Sequence, residues 1–95
     1  MTDDFDLPPE MIVTYLVHRQ ADVEKCRAAL KSGDYSVFEK IGHQLKGNGV
    51  SFGFPEIGQL GQEMELAGKT KDAAKATSLV TTLEQFVETK LQNLH

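Results

Sequence analysis

The chain has 95 residues, 40% of them hydrophobic and 25% charged, with a net charge of -4. That is the balance of one soluble globular domain: no apolar run approaches the roughly 20 residues of a membrane-spanning helix, and no concentrated basic patch is present to meet nucleic-acid phosphates. The lone Cys26 and an opening segment, MTDDFD, without the basic and apolar parts of a secretory leader imply a reducing, cytoplasmic setting with proteins as partners.

The elements are helical throughout, and no stretch alternates with period two for long enough to be a strand. After an acidic arm over residues 1–6, Pro8 and Pro9 suit a first helical turn, and Ile12, Tyr15 and Leu16 follow at helical spacing. The pattern runs on through Val23, Cys26 and Leu30, with a break expected near Asp22, so the bundle over 7–95 includes either a short additional N-terminal helix or an extension of the first. Gly33 reads as a C-cap, and Asp34 or Ser36 can cap the next helix, Ser36 with Glu39 three residues on as in a capping box. Phe38, Ile41, Leu45 and Phe52 line the next helix, which Gly53 ends; Ile57, Leu60 and Met64 line another, begun by Pro55 and closed by Gly68. The last carries an apolar stripe from Ala76 to Leu94. Connections this short join antiparallel neighbours, so the fold class is all-α, an antiparallel up-and-down four-helix bundle with a short additional N-terminal helix.

The informative stretch is IGHQLKGNGVSFGF, Ile41 to Phe54, where four glycines fall in and just beyond a central helix. At about 100° per residue, Phe38, Ile41, Leu45 and Phe52 lie within about 40° of the side opposite His43, so the imidazole faces solvent. Lys46 and Gly47, one turn further on, share its side. A helical side chain covers the turn before its own Cα, so a large residue at position 47 would shade the ring, and glycine leaves it bare. Gly42 and Gly49 lie toward the core flank, where close helix packing explains them better. Val50 adds an apolar residue to the exposed side. Neutral imidazole is a nucleophile near neutral pH, and a lysine ammonium can neutralise phosphoryl oxygens, so the set reads as a phosphoryl acceptor. His18 and His95 read as surface decoration.

The segment HQLKGNGVSFGFPEIGQLGQEME, His43 to Glu65, resembles the signature of histidine-containing phosphotransfer (HPt) domains of two-component phosphorelays. The resemblance implies phosphorylation of His43 on Nε2, support of the phosphoryl group by Lys46, and orientation of the imidazole by Glu65. It further implies that Gly47 admits the partner, and Asn48 occupies a position often small and polar in the family; together with Gln44 and the exposed apolar Val50 they make up the expected partner surface. The implied partners are receiver domains of response regulators or hybrid histidine kinases, with Mg²⁺ and most of the catalytic groups on the receiver and no cofactor or metal on this chain. No Gly-rich phosphate loop or kinase motif occurs, so the expected protein is a monomeric phosphocarrier without ATP binding or autokinase activity. Two other readings are a helical adaptor that docks signalling proteins without carrying phosphate, and a surface metal site from Glu39, His43 and Glu65, which Lys46 opposes.

Overall fold

Prolines at the first turn start two of the four helices, because a residue without an N–H loses nothing where the helix has no acceptor for it. The computed structural model describes residues 7–94, so the arm over 1–6 and His95 lie outside the described residues. Helix α1 runs from Pro9 to Ser32, α2 from Ser36 to Ser51, α3 from Pro55 to Thr70 and α4 from Ala73 to Asn93. There is no strand among the described residues, and no helix there is long and apolar enough to cross a membrane.

The separate N-terminal helix and the break near Asp22 are both corrected: α1 is one unbroken element of 24 residues. Asp22 is buried, yet it does not interrupt the helix, because Arg19 one turn earlier donates Nε–H to its Oδ2 at 2.8 Å. The same guanidinium lies over the Tyr15 ring, 4.4 Å from its centroid. Gly33 then takes φ 74° as the C-cap, where a side chain would be strained. Of the two residues expected to cap α2, Asp34 serves and the Ser36 capping box does not form: Asp34 Oδ1 accepts from Ser36 N at 3.2 Å and from Ser36 Oγ at 2.5 Å.

Helices α2 and α3 approach until their backbones touch. A Cβ placed on Gly49 would stand 2.4 Å from Gly58 N, and one placed on Gly68 would stand 2.8 Å from Glu39 N and 2.9 Å from Phe38 Cβ. Gly68 therefore does not close α3, as its place in the sequence suggests. It is buried inside the helix, which continues to Thr70 and ends with Lys71 in the left-handed region at φ 55°. Gly47 is the exception on α2, since a Cβ there would meet nothing within 4 Å.

The longer α1 and α4 pack through ordinary side chains. Leu16, Val23 and Cys26 of α1 meet a core that includes Phe38 and Leu45 of α2, Ile57 and Met64 of α3, and Val80, Leu83 and Val87 of α4. Burial pushes the Cys26 thiol up to about 12, so it stays protonated and unreactive at neutral pH. Arg27 of α1 pairs with Glu84 of α4, and Lys75 of α4 pairs with Glu63 of α3 at 3.5 Å. The apolar stripe of α4 ends short of its expected limit, since Leu94 is exposed. Asp72 caps α4 by accepting from Lys75 N at 3.1 Å.

The glycines separate in a stability measurement. Gly47→Ala gains helix propensity at no steric expense and is expected to stabilise the domain by about 0.8–1.0 kcal/mol, whereas Gly49→Ala forces two backbones apart and should destabilise it by about 1–3 kcal/mol. Urea unfolding of the two variants measures this; a shift of the same sign for both would contradict the packing described.

Candidate functional site

On the outer side of α2, opposite Ile41 and Leu45, His43 stands with 70% of its side-chain surface exposed. The helical wheel and the structure agree on this face because α2 buries Phe38, Ile41 and Leu45 and nothing covers the turn that follows His43. Lys46, half exposed, rises beside it from the same helix.

Glu65 comes from α3 and joins the two. Its carboxylate is mostly shielded, with 16% of the side chain exposed; Oε2 lies 3.3 Å from His43 Nδ1 and Oε1 lies 3.1 Å from Lys46 Nζ. Lys69, one turn along α3, places Nζ 3.9 Å from the same Oε2. The Lys46 hydrogen bond is the main influence holding the Glu65 carboxyl below its ordinary value; partial desolvation opposes it, and the charges of Lys46, Lys69 and His43 add to the lowering. The site therefore has one carboxylate among three nitrogen bases, with the histidine Nδ1 turned toward it and Nε2 on the far edge of the ring.

The remaining candidates fall around this centre. Gly47 is open, and Val50 is 51% exposed, with Cγ2 lying over Gly58. Gln44 is exposed at the edge of a groove between α1 and α2 that Lys25, Val37 and Ile41 also line. Asn48 is half-buried, and its Oδ1 accepts from Tyr15 Oη–H at 2.6 Å. Tyr15 in turn stacks on Phe52, with ring centroids 4.3 Å apart, which pins the end of α2 to α1. A shallow groove lined by Met11, Thr14, His18 and Phe52 adjoins this stack. Glu39 does not assemble a metal site with His43 and Glu65: no group of three His, Cys, Asp or Glu side chains able to hold a metal occurs among the described residues.

Sequence reasoning missed Tyr15 as the partner of Asn48, and Lys69. The tyrosine is 33 positions away in sequence, so no local pattern reveals it. Lys69 was visible as the i+4 neighbour of Glu65, a spacing that brings opposite charges together on a helix.

A four-helix bundle that presents one imidazole on a central helix, backed by a carboxylate and an ammonium, defines a histidine-bearing helical module. A family model described as Hpt domain matches residues 10–94, and the chain belongs to that family. Domains of this family are phosphocarriers in the histidine phosphotransfer of phosphorelays. No match was found among curated proteins or among solved structures.

The Glu65 environment makes a pH prediction. A carboxyl held below its ordinary value of 4.5 in the folded protein contributes stability that is fully present above about that pH and is lost as pH falls through the folded value. The stability advantage of wild type over Glu65→Gln should therefore persist from pH 7 to 5 and shrink below 4.5. Chemical denaturation across that range checks it, and a difference that has already closed at pH 5 would show that the carboxylate is not held by its neighbours.

Proposed function

We propose that this domain is a phosphorelay intermediate in which His43 takes a phosphoryl group from the phospho-aspartate of a receiver domain and passes it to another receiver. The observation that carries the reading is the convergence of Lys46 and Glu65 on an exposed imidazole whose neighbouring turn, at Gly47, is open.

With the Nδ1 proton directed at Glu65, the Nε2 lone pair is available to attack phosphorus. The Nε2–P bond forms as the P–O bond to the aspartate breaks, and the receiver recovers its carboxylate. The ring keeps the Nδ1 proton and gains a positive charge, which the Glu65 carboxylate offsets, while Lys46 meets the phosphoryl oxygens. Transfer of this kind proceeds through a loose transition state and depends on positioning and charge stabilisation. The receiver supplies Mg²⁺ and most of the catalytic groups, so this chain acts as a carrier without ATP binding or autokinase activity. Gln44, Asn48 and Val50 lie along the face the receiver covers. The setting proposed is cytoplasmic, with the carrier working as a monomer.

Incubation with a phosphorylated cognate receiver is expected to leave an acid-labile label on wild type and none on His43→Gln. A label that survives the substitution would remove His43 from this role, and absence of label on wild type with stable complex formation would favour the phosphate-free adaptor.

The neighbours separate kinetically. Lys46→Ala is expected to slow transfer about a hundredfold, a typical effect of removing one charge-stabilising group, with little change in unfolding. Gly47→Gln should fold normally and slow transfer on the order of tenfold by covering the ring. Rapid-quench rates measure both, and a wild-type rate for Gly47→Gln would end the access argument.

A further inference from the structure

Glu65 is a short side chain, and it reaches His43 only because two helix backbones touch beside it. A Cβ on Gly42 would stand 2.4 Å from Glu65 N, 2.9 Å from Glu65 Cα and 2.6 Å from Gly61 O. From the facing helix, a Cβ on Gly61 would stand 2.5 Å from Lys46 N and 2.7 Å from Gly42 O. The obstructing atoms are backbone, which cannot swing aside as the tip of a side chain can. On α2 the next residue after Gly42 is His43, and on α3 Glu65 is itself one of the contacting residues, so this contact sits at the level of the site.

We propose that Gly42, seated against Gly61, is a positioning residue for His43: by lacking a side chain it lets the Glu65 backbone settle on α2, so that the carboxylate reaches Nδ1 and fixes the ring with Nε2 outward. The consequence for phosphoryl transfer rests on the reading of His43 as the acceptor; the effect on the imidazole does not. The separation of 3.3 Å between Nδ1 and Oε2 is already longer than the roughly 2.7–2.9 Å of a tight charge-assisted bond, which leaves no slack. If α3 moves outward by about 1 Å, that contact passes beyond hydrogen-bond range. Lys46 behaves differently, because its long flexible stem follows the carboxylate and keeps the ion pair. Loss of the glycine should therefore release His43 selectively.

A second glycine supplies the control. Gly49 makes an equally close contact, 2.4 Å from a Cβ to Gly58 N, but two turns further along α2 and away from Glu65. The experiment reads the imidazole ¹⁵N shifts of His43 at a pH where the ring is neutral, in wild type, Gly42→Ala and Gly49→Ala, with circular dichroism confirming that each is folded. The Nδ1–H tautomer should dominate in wild type and Gly49→Ala and give way to a mixture in Gly42→Ala, which should also accept phosphoryl about tenfold more slowly than wild type. An unchanged tautomer in folded Gly42→Ala, or an equal change in Gly49→Ala, would overturn the proposal. If Gly42→Ala does not fold, Glu65→Asp withdraws the carboxylate by one methylene instead, and an unchanged tautomer there would overturn it as well. Failure of wild type to accept phosphoryl, with the tautomer change intact, would refute the acceptor reading and leave the positioning role standing.

Discussion

The contact on which the rest of the structure depends is the meeting of α2 and α3 backbone to backbone. Gly42 and Gly49 on one helix meet Gly61, Glu65 and Gly58 on the other, and Gly68 meets Phe38 and Glu39. Each interior glycine forfeits about 0.8–1.0 kcal/mol of helix propensity, which dense packing along the seam has to offset. In return the seam fixes register. Larger residues leave room for repacking, whereas touching main chains allow one arrangement, and that arrangement decides which α3 side chain stands beside His43.

Helices α1 and α4 answer a different demand. They meet the core through Leu16, Val23, Leu83 and Val87, and Tyr15 of α1 and Phe86 of α4 join Phe52 and Phe54 of the α2–α3 connection in an aromatic group that closes one end of the bundle. The hydroxyl of Tyr15 extends this packing to Asn48, so the end of α2 is held from the α1 side while its middle is held from α3. The turn carrying His43 and Lys46 lies on the outer face between those two anchors.

Most of the bundle was legible because its boundaries are written in residues with few conformational options. Pro8 and Pro9, Gly33, Gly53 and Pro55 fall at the helix limits, and the wheel around Ile41 and Leu45 placed His43 outside. What failed was local chemistry overruled by tertiary demand. Gly68 looks like a helix end, but it is needed where Phe38 presses on α3, so the helix passes through it and Lys71 takes the positive φ. Asp22 looks like a break, but Arg19 satisfies it within the helix. At the site, His43, Lys46 and the open Gly47 were readable from one helix, and Glu65 came from the family resemblance. The seam that delivers Glu65 was only half readable: the seven-residue spacings of Gly42 with Gly49 and of Gly61 with Gly68 are in the sequence, but that the two rows face each other is a property of the packed pair.

The ion pair between Lys46 and Glu65 has a further consequence for a carrier. Before any phosphoryl group arrives, the ammonium already has an anionic partner at 3.1 Å. On the proposed reading an incoming phosphoryl group competes for that ammonium, so its net attraction is the difference between two pairings and not the whole of one. Lys69 beside the same carboxylate softens the exchange, because Glu65 keeps a cation when Lys46 turns away. On the proposed reading such a site loads and unloads across a shallow free-energy difference, which suits a group that has to leave in either direction.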